Sequence, residues 1–184
     1  MESVASALIV PVPVAEPIIA PWRRLFDPAS NQGVPAHVTL LYPFLPPAEI
    51  DEGVLARLAE ITRRFEPFPF TLTQTERYPG LLVLPPEPAA PFLALREALI
   101  DAWPAIVPYE GRYGLRPPMH VTVAWSETFK AGGCPDFAPI ERALAPMLPV
   151  SGRATEVTLE IKRGERWSQD LRLPLGQSDS HQEV

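Results

Sequence analysis

Two of the three histidines in this chain open the same phrase: Pro35-Ala36-His37-Val38-Thr39-Leu40 and Pro118-Met119-His120-Val121-Thr122-Val123. On an extended strand, residues i and i+2 project to one face and i+1 to the other. Each phrase therefore presents an imidazole beside a hydroxyl and turns its valine toward a core. Threonine is scarce, nine residues in 184, so its recurrence two places after both histidines argues against coincidence. Two such strands facing one cleft suit an in-line phosphoryl displacement. A neutral imidazole takes a proton from water, a protonated one gives a proton to the departing oxygen, and the hydroxyls hydrogen-bond the non-bridging oxygens as charge develops. With an ordinary pKa of about 6.5, either histidine can take either role, and the sequence leaves that choice open.

Blander readings stand beside this one. Taken singly, each histidine reads as a core residue with satisfied ring nitrogens, and each threonine as a strand former; the matched pair is what favours catalysis by His37 and His120, with Thr39 and Thr122 on the phosphate. A metal is not expected, because neither phrase contains Asp or Glu and no H-x-x-x-H spacing occurs. Tyr42 and Trp125 each lie five residues after a histidine. That odd offset sends them to the valine face of a regular strand unless a bulge intervenes, and base stacking is the functional alternative. Arg112 and Arg116, with Tyr113, precede His120 and are candidate contacts to a phosphate or ribose. Arg23-Arg24 and Arg63-Arg64 read as solvent faces of helices, Cys134 as an incidental thiol, and His181 as inert.

The elements that must position these residues are marked by apolar periodicity and by proline, which takes 25 of the 184 positions. Strands are expected over residues 7–14 and 37–42, and helices over 16–26 and 51–65, the latter with Val54, Leu55, Leu58, Ile61 and Phe65 at helical spacing. Residues 68–77 and 81–84 follow as a hairpin around Tyr78-Pro79-Gly80. The second half replays the order. A helix is expected over 89–103, the second histidine strand over 119–125, a helix over 137–148, and strands over 155–161 and 167–175 around the turn Lys162-Arg163-Gly164-Glu165. This predicts one α+β domain over residues 1–176, with halves of roughly 1–86 and 87–176 that can exchange strands. Residues 177–184 read as a disordered tail.

Composition narrows the partners. A hydrophobic fraction of 46% supports a folded core, and a net charge of −6 disfavours a long grip on a polyanion. The basic side chains are nearly all arginine, whose planar fork can still hold a single phosphate. One cysteine excludes an internal disulfide framework, and the apolar stretch 7–22 is broken by Pro11, Pro13, Glu16, Pro17 and Pro21, unlike a signal peptide or a spanning helix. A cytoplasmic monomer without cofactor or membrane contact is expected.

The paired H-V-T-[LV] strands, the phrase His37-Val38-Thr39-Leu40-Leu41-Tyr42-Pro43-Phe44 and the opening Ala7-Leu8-Ile9-Val10-Pro11-Val12-Pro13 resemble the two-histidine phosphoesterase superfamily, in its 2′-5′ RNA ligase and cyclic phosphodiesterase branch. The resemblance spans roughly residues 6–176. It implies two pseudo-symmetric α+β lobes, each an antiparallel sheet with helices outside, around a groove into which both motifs point. It also implies metal-independent opening of cyclic phosphates, such as 2′,3′-cyclic nucleotides or RNA ends, with His37 and His120 as the catalytic pair and Thr39 and Thr122 on the phosphate. A non-catalytic module that binds a nucleotide or phosphate end, and 2′-5′ RNA ligation, remain as alternatives.

Overall fold

Proline sets where many elements begin. Among the described residues four helices carry it in their first two positions, where the missing N–H has no intrahelical partner to lose: α1 (Glu16–Phe26), α2 (Pro28–Asn31), α4 (Ala90–Ala102) and α5 (Ala138–Leu144). Both α2 and α3 (Glu52–Thr62) are capped by an aspartate: the Asp27 side chain accepts from the Ala29 N–H and Asp51 from the Val54 N–H. The computed structural model of the chain describes residues 5–114, 116–125 and 136–176.

Strands β1 (Ala5–Pro11), β2 (His37–Leu41), β4 (Glu76–Tyr78), β5 (Leu81–Leu84), β7 (Val121–Trp125), β9 (Glu156–Arg163) and β10 (Arg166–Pro174) form one antiparallel sheet in the order β10-β9-β1-β2-β7-β5-β4. A second sheet, in the order β6-β3-β8, joins β3 (Phe68–Leu72), β6 (Pro86–Glu87) and β8 (Val150–Ala154). The fold is thus α+β. The two histidine strands are neighbours at the centre of the large sheet, registered at Val38↔Val121. On one side of that pairing lie β1, β9 and β10; on the other lie β5, which pairs with the second histidine strand, and β4 beyond it, both from the first half of the sequence.

Two expectations need correction. Residues 68–77 are not one arm of a hairpin: the hairpin around Pro79-Gly80 is β4–β5 alone, while β3 leaves for the other sheet. The physical cause is burial, since Phe68, Phe70 and Leu72 face a core that the three exposed or half-buried residues of β4 cannot reach. Strand β8 lies in a stretch that the sequence reading left between a helix and a strand. With Ser151 and Gly152 at its centre it lacks the apolar alternation that marks a strand. Gly152 is required there, because a Cβ would stand 2.7 Å from the Phe70 ring.

One core joins the layers. The buried stripe of α4, Phe92, Leu95 and Leu99, packs with Leu58 and Ile61 of α3 and with Val38, Leu40, Val121 and Val123 from the histidine strands. Phe92 meets Phe68 and Phe70 edge-on at 4.8 and 5.6 Å, tying the second sheet to α4. The valine face of both histidine strands is thereby committed to the interior, which leaves the histidine face for the site.

Candidate active site

Antiparallel register fixes how the two phrases meet. One step either side of the Val38↔Val121 pair, His37 stands opposite Thr122 and Thr39 opposite His120. The four side chains make a square with each imidazole beside its own threonine along the strand and the other threonine across it. The histidines sit on a diagonal, with a backbone separation of about 7–8 Å. Ile9 pairs with Thr39 and Pro11 with His37, so the square shares its sheet face with Ala7, Ile9 and Trp167, which pack under Ala29 and Val34.

Both rings are held in the same way. The Nδ1 of His37 lies 2.7 Å from the Pro35 carbonyl oxygen, and that of His120 lies 2.9 Å from the Pro118 carbonyl oxygen. A carbonyl only accepts, so each Nδ1 carries the hydrogen and donates it. Each Nε2 is left to accept a proton when the ring is neutral and to donate one when it is charged. The two prolines of the repeated phrase are therefore the residues that set the tautomers. Gly33, at φ +100, turns the chain beneath this approach so closely that a Cβ would stand 3.0 Å from the Trp167 carbonyl oxygen.

Burial lowers the pKa of His37 from 6.5 to about 4; the bond to Pro35 resists, Arg23 and His120 add positive charge that lowers it further, and Asp27 opposes them. Burial also lowers His120, against the bond to Pro118. Arg23 was read from the sequence as a solvent-facing helix residue, and this is overturned. It is 1% exposed, with Nε 2.9 Å from Asp27 Oδ2, Nη1 3.3 Å from Glu16 and Nη2 donating to the Val34 carbonyl. The signal was present in the spacing, because Glu16, Ile19, Arg23 and Asp27 recur at helical intervals on the face that holds the buried Ile19.

The odd offset of Tyr42 and Trp125 is explained by bulges at matching positions. Leu8 pairs with Leu41 and Ile9 with Thr39, which leaves Leu40 as the extra residue; Val83 pairs with Thr122 and Leu82 with Ala124, which leaves Val123. In both strands the two residues directly after the threonine, Leu40 and Leu41 or Val123 and Ala124, are buried in succession, and the next position returns to the histidine face. Because the strands run antiparallel, Tyr42 and Trp125 lie toward opposite ends of the square. Trp125 also borders a cavity of about 740 Å³ lined by Phe26, Asn31, Lys162 and Arg166. Neither histidine lines that cavity.

Residues 103–118 connect α4 to β7 and hold the other candidates. Arg112 and Arg116 are exposed and weakly paired, to Glu110 at 3.4 Å and Glu97 at 3.2 Å. Sequence reasoning missed Tyr109 in this segment. Its phenol oxygen bonds the Thr39 side chain, and burial raises its pKa. Also missed were Tyr78, whose ring lies 6.5 Å from that of His120, and Arg96, a fully buried side chain whose Nη1 donates to the Pro117 carbonyl at 2.6 Å while Nε and Nη2 find no partner. Cys134 and His181 lie outside the described residues. Among the described residues, no three His, Cys, Asp or Glu converge as a metal site, and no helix is long and apolar enough to cross a membrane.

Comparison with known proteins bears on this geometry. The family description 2′-5′ RNA ligase superfamily matches residues 10–166. Among solved structures, the chain is similar to E. coli LigT complexed with 3′-AMP, at 22% identity and a TM-score of 0.56 over 94% of this chain and 98% of that one. It is also similar to Kluyveromyces marxianus Usb1, at 17% identity and a TM-score of 0.52 over 95% and 99%. A structure described only as a phosphoesterase gives 18% identity and a TM-score of 0.57 over 95% and 100%. At these identities the likeness is one of fold. No curated protein matches the sequence significantly.

Proposed function

The chain belongs to the 2′-5′ RNA ligase superfamily, and on that footing we propose that it hydrolyses cyclic phosphodiesters, nucleoside 2′,3′-cyclic phosphates or RNA ends of that kind, by two-histidine acid–base chemistry. The observation that carries this reading is the cross-strand square, in which both Nδ1 hydrogens are committed to proline carbonyls and both Nε2 atoms are left for proton transfer. LigT has been crystallised with 3′-AMP, a nucleoside monophosphate of the kind such hydrolysis releases.

In this mechanism His37 is the base. Its pKa, lowered by burial to about 4, keeps the ring neutral at neutral pH, so Nε2 takes a proton from a water that attacks phosphorus. His120, protonated, gives its Nε2 hydrogen to the 2′ or 3′ oxygen as the ring P–O bond breaks. The Thr39 and Thr122 hydroxyls donate to the non-bridging oxygens, where negative charge concentrates. Water's oxygen ends on phosphorus, one P–O bond is lost, and the two protons exchange places, so the enzyme finishes with the histidine charges reversed and resets through solvent.

The test is a product assay by mass on 2′,3′-cyclic nucleotides, with EDTA present. The expected product gains one water, and His37→Ala or His120→Ala lowers kcat by about 10²- to 10⁴-fold without unfolding the chain. No turnover of any cyclic phosphate, or mutants that keep the wild-type rate, would overturn the proposal. Tight nucleotide binding without product over hours would instead favour a binding module.

A further inference from the structure

Among the described residues two arginines are buried, Arg23 on α1 and Arg96 on α4. They stand at unrelated distances along the chain from the histidines, fourteen residues before His37 and twenty-four before His120. In space they do the same thing. Arg23 Nη2 donates to the Val34 carbonyl at 3.0 Å, and Arg96 Nη1 donates to the Pro117 carbonyl at 2.6 Å. Each of those carbonyls belongs to the residue three before a histidine, directly ahead of the proline whose own carbonyl accepts the histidine Nδ1 hydrogen.

The place of each bond gives it its reach. The carbonyl that the arginine holds is part of the peptide unit ending at the proline nitrogen, so a planar unit is pinned. The proline ring then fixes φ. Only ψ is left between the pinned plane and the carbonyl that orders the imidazole. In the first phrase that freedom is taken up as well, because Glu16 Oε1 accepts the Ala36 N–H on the far side of Pro35. Arg23 is compensated by the carboxylates of Glu16 and Asp27, whereas Arg96 keeps Nε and Nη2 without a partner. A buried cation with two unsatisfied nitrogens is a poor stabiliser, since an apolar side chain of similar length fills the space without the desolvation penalty. The bond that Arg96 does make is aimed at the backbone leading into His120.

We propose that Arg23 and Arg96 are a matched pair of positioning residues: each pins the peptide plane ahead of a proline, and through that proline's carbonyl holds one histidine, His37 or His120, in the Nδ1–H form. Both side chains are buried, so they act through the rings and not on a substrate. The consequence for turnover rests on the two-histidine reading above, whereas the effect on the rings does not. Two helices far apart in sequence thus serve the two histidine phrases alike. Removing one clamp releases its own histidine and leaves the other in place, which a general loosening of the core would not do.

The experiment reads the imidazole nitrogen resonances of the free protein by NMR at pH 7.5, together with Tm and with kcat and KM on a 2′,3′-cyclic nucleotide, for the wild type, Arg96→Met and Arg23→Lys. Spectra of His37→Gln and His120→Gln assign the rings. The wild type is expected to show the Nδ1–H form at both. Arg96→Met keeps the apolar length and removes the donor: His120 shifts toward a mixture with the Nε2–H form, His37 is unchanged, kcat falls about 10- to 100-fold at nearly constant KM, and Tm does not fall. Arg23→Lys leaves a cation for Glu16 and Asp27 but a single nitrogen in place of the fork, so the Val34 carbonyl is released and His37 shifts instead. A His120 ring that stays in the Nδ1–H form in Arg96→Met, or both rings shifting together in either variant, overturns the proposal. If Arg96→Met does not fold, Arg23→Lys decides: a shift of His37 alone supports the proposal, and an unchanged His37 overturns it. If the wild type opens no cyclic phosphate, the hydrolytic reading fails and the ring resonances alone decide.

Discussion

A histidine held neutral by burial must leave a mark on stability, and His37 permits the size to be worked out. Its pKa is about 4 in the folded chain and 6.5 as the ordinary value. Above pH 6.5 neither state takes the proton and the group contributes no pH dependence. As pH falls below 6.5 the unfolded chain takes it and the native chain refuses, so stability is lost progressively until pH reaches the folded value. At pH 5 these two pKa values correspond to a loss of about 2 kcal/mol. The ring is only half-buried, so water screens part of this and about 1–2 kcal/mol is expected. His120 shifts in the same direction, whereas burial raises the pKa of Glu160, which works the opposite way; both remain in a His37→Gln variant and cancel in the comparison. Urea unfolding of wild type and His37→Gln at pH 7.5 and pH 5 isolates the His37 contribution. With a slope of about 2 kcal/mol per molar, the wild-type midpoint should drop by about 0.5–1 M more than that of the variant. Equal drops would refute the desolvation argument, and with it the electrostatic basis for His37 as the base.

Three shorter predictions follow from named contacts. Tyr109→Phe keeps the ring but loses the bond to Thr39, and should lower kcat by about 2- to 10-fold with little change in Tm, as measured by steady-state kinetics and calorimetry. Pro118→Ala keeps the carbonyl that orders His120 but frees its φ; kcat should fall more than stability does, and equal losses would reduce Pro118 to an ordinary loop residue. Phe92→Ala removes a fully buried ring that joins both sheets and should cost about 3–5 kcal/mol in chemical denaturation; a loss below about 1 kcal/mol would mean that the second sheet is not tied to the core through α4.

The local placement of the candidate residues was legible along the chain. The repeated P-x-H-V-T phrase already states that His37 and Thr39 share a face, as do His120 and Thr122, because alternation along a strand is a property of the backbone. Helices such as α1 and α4 were equally legible, since their apolar spacing is local. What only the tertiary structure decided was set by pairing between distant segments. The register that puts His37 across from Thr122 depends on which strands become neighbours, and no local pattern encodes it. The bulges at Leu40 and Val123 arise in pairing with β1 and β5, so the side taken by Tyr42 and Trp125 could not be read from an offset of five. Tyr109 reaches Thr39 from 70 residues away, and its own left-handed backbone, like that of Glu110, is not announced by glycine at either position. Local periodicity chose the groups that can react; long-range packing, which is not periodic, decided which of them stand together.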